Sequence, residues 1–557
     1  MMLLGNINAI PFRRRFGGGG GTPFPNIPGM IVRWSAKGLT NEDMSKNPVW
    51  KDLMGNGYDL QMKNFLWGGM SGVGGYKLNW GDSSIWANYI VRGTYGTGEI
   101  TNNTIHITSA KSHNALFETK TSLKSVEYKV LIKGLTDDIN LRYGVFNNGQ
   151  ELWTEIKNDG IYTLPSYDYD SRYNMKWKVR SQTYPIDCDI TIEQLPLYPD
   201  ALVFDGVDDY GTCDNFPILT KEKGYTVVAL RQWITRGEIA QGLVSNVKNW
   251  LKDGAFLLEY RNIQADHLNK PISFGAIGSE MDLPHILTYQ TSKSCNGVSI
   301  TTGNFEGTDV LHVGKLAPTN VGTCINAAIW ELVFLDHDAT EEELTKIKDY
   351  FVKTYPWLFP DQAWTVVGKT NEDEDRATIA NITGNGNDLI LSNLGFAEGS
   401  GYNEQGEYAG YLVTDGVDDK IVSSVFRMGK DFTIVGDWKF IGNKKSGTGL
   451  VKGSSFYIYN TMTGLDLYIN SGSVKNSLDG IKSINAACSD GRVYDRNWNE
   501  ILANTGNVVG SGNTLEVSSS GGRFDRIAFK NFAIYPRILS KDDCIKAYNY
   551  LQTLKAK

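Results

Sequence analysis

Cysteine and histidine are scarce in this chain and a long apolar run is missing, and each shortage removes a class of protein. Six cysteines stand among 557 residues: Cys188, Cys213, Cys295, Cys324, Cys488 and Cys544. None belongs to a Cys-x-x-Cys pair, which argues against a zinc knuckle or a dense disulfide scaffold, and most are expected to be small buried apolar groups. A Cys213 to Cys324 bridge is left open. With no run of 18 apolar residues, no membrane-spanning segment is expected. In MMLLGNINAIPFRRRF the basic cluster follows the apolar part, the reverse of a secretory signal, so no signal peptide is expected. The six histidines, His106, His113, His267, His285, His312 and His337, never take HxxxH spacing. A net charge of −7 leaves no general footprint for nucleic acid.

Glycine (60), tyrosine (28) and tryptophan (14) are abundant while long helical periods are scarce, which predicts short strands joined by turns and a mainly β chain of several units. One string orders it. Asp205-Gly206-Val207-Asp208-Asp209 returns unchanged as Asp415 to Asp419, each copy after an apolar run and before a β-rich segment. Upstream, Thr40-Asn41-Glu42-Asp43 and Asn56-Gly57 match Thr370-Asn371-Glu372-Asp373 and Asn385-Gly386. Asn-Gly pairs supply the positive φ of tight turns. The chain therefore carries one module twice.

Spacing measures the difference between the copies. Thr40 precedes Asp205 by 165 residues, whereas Thr370 precedes Asp415 by 45, so copy one holds about 120 extra residues. That interval alternates in the period-two manner of half-buried strands, as at Val130, Ile132, Leu141, Tyr143 and Val145, and is expected to be a small β-sandwich on a loop. Each copy ends in a strand and a capped helix. Thr340 with Glu343, and Ser540 with Asp543, have capping-box form, and the helices present Leu344, Ile347, Tyr350, Phe351 and Cys544, Ala547, Tyr550, Leu551 on one face. The expected units are an extended arm at 1–29, a first module at 30–80 plus 200–358, an insert at 81–199 and a second module at 361–557. Arg13, Arg14, Arg15 and Phe16, followed by Gly17 to Gly21, cannot build a core and are read as an anchoring arm.

A many-stranded module with FDGVDDY before a β-rich segment and a capped helix at its end resembles the laminin-G-like, concanavalin-A-like lectin and glucanase superfamily. The resemblance implies two jelly-roll sandwiches, the first bearing the insert. The finer pattern of TNED, NGYDL, CDITIEQLPLYPDALVFDGVDDYG and a glycine-rich arm looks like appendage proteins, head or tail fibres, of tailed phages and prophages of gut bacteria. On that resemblance the chain is expected to be a non-enzymatic virion surface protein. Residues 1–29 would bind other virion proteins, the chain would form a homo-oligomer such as a trimer, and its lectin-like modules would serve assembly and adhesion to host glycans. The alternatives are a secreted or surface bacterial glycan-binding protein or glycan-active enzyme, and a purely architectural virion protein.

Candidate chemistry is sparse. A glucanase of this fold needs Glu-x-Asp-x-x-Glu on one strand. The nearest match, Glu280-Met281-Asp282-Leu283-Pro284-His285, lacks the second glutamate and carries a proline, so it reads as a loop. Asn371-Glu372-Asp373-Glu374-Asp375 reads as a solvated turn. Asp205, Asp208, Asp209 and Asp415, Asp418, Asp419 offer the hard oxygens that calcium takes. The same aspartates would equally make a tight turn, with Gly206 and Gly416 at positive φ and the carboxylates bonded to local amides. Trp67, Trp80 and Trp86 around the loop Gly68 to Tyr76, with Trp233 and Trp250, are candidates either for stacking on a sugar or for the sandwich core.

Overall fold

The computed structural model describes residues 23–556 except 89–94, 115, 120–127, 148–149, 165–174, 220–221, 236–241, 250–256, 259–285, 300–305, 316–323, 406–407, 424–428, 442–447, 453–455, 461–463, 470–476, 480–483, 503–514, 518, 521–522 and 525. The chain is mainly β. Its large sheets are antiparallel and fall into three facing pairs. In copy one, an eight-stranded sheet centred on Thr226–Thr235 and Asn326–Leu335 packs on a six-stranded sheet that includes Leu60–Lys63, Tyr210–Cys213 and Glu306–Val313. The two sheets share a core of Val32, Trp34, Leu60, Met62, Phe204, Val313 and Phe334. Copy two pairs two eight-stranded sheets around Trp364, Leu389, Leu391, Ile421 and Phe532. Two five-stranded sheets in the intervening segment enclose Ile105, Val130, Ile132, Leu141 and Trp177.

The period-two pattern has its expected cause. Leu60–Lys63 and Leu389–Ser392 each alternate buried and exposed, because one face meets the partner sheet and the other meets water. Strand Asn326–Leu335 breaks that alternation, with every residue from Ala327 to Leu335 buried. Ala327, Ile329, Leu332 and Phe334 fill the sandwich, while Ala328, Trp330, Val333 and Leu335 enter a second core on the opposite face.

That second core joins the copies. After a short α1 (Asn41–Lys46) the chain forms helices α2 (Glu341–Thr354) and α3 (Lys541–Leu551), and the second core takes residues from these two and from the eight-stranded sheet Tyr535 belongs to, and it includes Ile161 of the intervening segment. Trp330, Trp357 and Tyr550 meet edge to face with centroids 5.6 to 6.1 Å apart. Polar contacts reinforce them: the Trp330 indole donates to the Pro199 carbonyl at 2.8 Å, Tyr535 donates to the Trp357 carbonyl at 2.9 Å, and Lys546 pairs with Asp200 at 2.6 Å. Lys129 sits 3.3 Å from the centre of the Tyr548 ring.

Both helices start as their sequences dictate. Thr340 accepts from the Glu343 amide while Glu343 reaches back to the Thr340 amide, and Ser540 accepts from the Asp543 amide. Two readings are sharpened. Cys213 and Cys324 are separate buried thiols, with no bridge between them. Phe24 packs on Tyr350 at 4.7 Å and Ile27 is buried in the joint, so the chain is already held to copy one before residue 29. Arg13, Arg14, Arg15, Phe16, Trp250 and Glu280 to His285 lie outside the described residues.

Candidate functional site

The repeated pentapeptide forms the same turn twice. In copy one, Gly206 takes φ +83°, the Val207 amide donates to Asp205 Oδ1 at 2.8 Å, and the Asp205 amide donates to Asp209 Oδ2 at 3.1 Å. In copy two, Gly416 takes φ +75°, and the matching bonds from Val417 and Asp415 are both 2.7 Å. A serine from the neighbouring loop completes each turn. Ser71 Oγ donates to Asp209 at 3.0 Å while accepting from the Leu66 amide, and Ser400 Oγ does the same between Asp419 and the Gly395 amide. Asn64 and Asn393, both at φ +67°, donate to the carbonyls of Asp208 and Asp418.

The consequence for Asp209 is electrostatic. Its side chain is fully buried, and burial followed by the nearby Asp205 carboxylate pushes its pKa up to about 7 against the pull of its Ser71 and Asp205 hydrogen bonds. Asp419 is raised for the same first cause. In each copy the three carboxylates offer oxygens within 4.8 Å of one another. A hard cation could be held by Asp205, Asp208 and Asp209, or by Asp415, Asp418 and Asp419. Two of each three already accept hydrogen bonds that close the turn, and a calcium ion would need further oxygens to reach its usual six to eight.

The aromatic candidates resolve the other way. Trp67 and Trp233 are 7% and 8% exposed in the core of copy one, and Trp80 and Trp86 are 1% and 5% exposed in the core of the intervening segment. Trp67 is stacked on Phe65 at 4.8 Å. The sugar-stacking expectation for these four is corrected: their faces are spent on the cores. The acid-rich 371–375 segment is a turn as expected, with the Thr370 amide and hydroxyl both donating to Asp373 and with Lys369 paired to Asp375 at 2.6 Å.

No family model matches the chain, and no curated protein matches it. Solved structures similar to it include a Trypanosoma rangeli sialidase in complex with sialic acid, at 11% identity over 82% of this chain and 83% of that one, with a TM-score of 0.25. A mutant of that sialidase displaying trans-sialidase activity is similar at 10% identity over 83% and 84%, with the same TM-score. At 0.25 the likeness establishes no shared fold, and no residue role is taken from it. The exclusion of enzymatic activity does not stand beside neighbours that are sialidases, and it is withdrawn. Among the described residues no helix is long and apolar enough to cross a membrane.

Proposed function

We propose that the chain is a surface component of a phage particle, on its head or its tail, docked to other virion proteins through the segment before Pro23 and displaying its sandwiches for assembly and for adhesion to the host. The observation that carries this reading is the joint. Two copies of one sandwich and the segment inserted in the first share a buried core through α2 and α3, which makes a stiff body suited to holding surfaces at a fixed distance from an anchor. The resemblance of TNED, NGYDL and FDGVDDYG to phage appendage proteins points the same way. With Trp67, Trp80, Trp86 and Trp233 in the cores, any glycan contact would use other surface.

The test is incorporation. Removing residues 1–22 leaves Phe24 and Ile27 in place, and the shortened chain is expected to fold but to be missing from purified particles. Unchanged incorporation would overturn the anchoring role. A glycan array probed with residues 23–557, with and without chelator, then separates adhesion from a purely architectural role. Signal lost with chelator would show that adhesion needs a bound cation, for which the Asp205 and Asp415 turns are the candidates, and silence throughout would leave architecture alone.

A further inference from the structure

Where copy one is covered, copy two is open. In copy one Asn41 bonds both backbone groups of Val73, and in copy two Asn371 bonds both backbone groups of Tyr402, which fixes the correspondence of the two loops. Gly69 and Gly75 then match Glu398 and Glu404. A side chain at Gly69 would meet Asn79 at 3.4 Å, and one at Gly75 would meet Val203 of a sandwich strand at 3.1 Å and Tyr198 at 3.3 Å, with Asn79 and Tyr198 lying at the two roots of the inserted segment. Copy two has no such segment, and its loop opens on a cavity of about 510 Å³ lined by Glu372, Glu398, Glu404, Asn403 and Gln405. That volume lies in the range of ligand sites.

The lining selects the ligand. Among the described residues no lining residue is basic, which disfavours anions. The lining ring, Tyr402, is 3% exposed and donates to the Arg376 carbonyl, so no ring face is offered to a sugar. All three glutamates are exposed, and among the described residues none of their carboxylates has an ion pair or a hydrogen bond. They also fail to converge: the aspartate turns bring three carboxylates within 4.8 Å, and these glutamates form no such group. Dispersed, unpaired carboxylates suit several cations carried on one extended segment rather than a single ion.

We propose that this cavity receives Arg13-Arg14-Arg15 of a second copy of the chain, joining copies head to tail. Those arginines are the sole run of three adjacent basic residues in the sequence, and Gly17 to Gly21 behind them supply a spacer. The eight residues from Arg15 to Pro23 span at most about 28 Å when extended, enough for the arm of one copy to reach across a contact into the next. The contact is heterologous, arm to cavity, and so is free to repeat along a ring or a line.

This inference rests on the arm's role in assembly proposed above and adds a second copy of the chain to the arm's partners; light scattering on the full chain tests it. Mass is expected to rise with concentration at low salt and to fall back as salt screens the contact. The triple variants Arg13→Ser, Arg14→Ser, Arg15→Ser and Glu372→Gln, Glu398→Gln, Glu404→Gln should each associate at least tenfold more weakly with unchanged thermal unfolding. Mixed one to one, they should form a dimer and nothing larger, since one variant keeps the cavity and the other keeps the arm. A parent that stays monomeric, a glutamine variant that associates like the parent, or variants that do not pair when mixed would each overturn the proposal. Particles that exclude the 1–22 deletion but accept the glutamine variant would overturn it while sparing the anchoring role.

Discussion

Asp209 shows how one buried carboxyl makes stability depend on pH. Its pKa rises from an ordinary carboxylate value near 3.8 in the unfolded chain to about 7 in the folded one. Between those values the native state holds the extra proton, so the contribution is fully present below about pH 4 and is lost as pH climbs through 7. Asp209→Asn removes that titration and also one acceptor, so the variant starts less stable in acid. The gap to the parent should close by roughly 2 to 4 kcal/mol between pH 4 and pH 8, measured as urea midpoints in chelator. A gap that is flat with pH would show that Asp209 is ionised in both states. Gly206 is a residue-scale constraint of a different kind: its φ of +83° and the Asn326 side chain 2.8 Å from where a Cβ would stand both require glycine.

At the scale of the element, the decisive feature is a bulge. Leu230 pairs with Glu331 and Arg231 with Ile329, so Trp330 has no partner on that strand, and Trp330 and Glu331 turn to the same face. The bulge aims Glu331, fully buried, at the joint, where Arg33 bonds both its oxygens at 2.8 and 3.1 Å and Tyr350, Tyr355 and Ser35 donate to one of them. Copy two repeats the bulge between Asp437 and Trp438 without that ion pair: Asn531 stands in the place of Glu331 and accepts from the Asp437 amide, and Ala363 stands in the place of Arg33. Glu331→Gln strands the guanidinium and should cost about 3 to 5 kcal/mol. Adding Arg33→Ala should restore part of that loss in a denaturant titration. A double variant no better than the single would mean the charge is not what the glutamate answers.

For the whole molecule, the joint predicts that the two copies unfold together. Trp357 is fully buried against Trp330 of copy one and Tyr550 of copy two. Trp357→Ala should cost about 3 to 5 kcal/mol and raise amide exchange in Asn326–Leu335 and Ile527–Tyr535 together. Exchange that rises in one strand and not the other would show two independent bodies.

The turns, the helix caps and the extra 120 residues were readable in the sequence because each is local. A glycine at positive φ, a threonine three residues before a glutamate and the distance between two landmarks need no knowledge of the rest of the chain. The fate of Trp67, Trp80, Trp86 and Trp233 was not readable, since a ring suited to a sugar is equally suited to a core, and only the returning strands decide which it meets. Nor was the joint, because the apolar faces of α2 and α3 say that something covers them and not what. Glu372 shows the same division. Sequence made it part of a solvated turn, and the structure made it a wall of a cavity, because the segment that covers the matching loop of copy one is missing from copy two. Local backbone chemistry was set by the order of residues, while exposure was set by which distant segment came back to lie on each face.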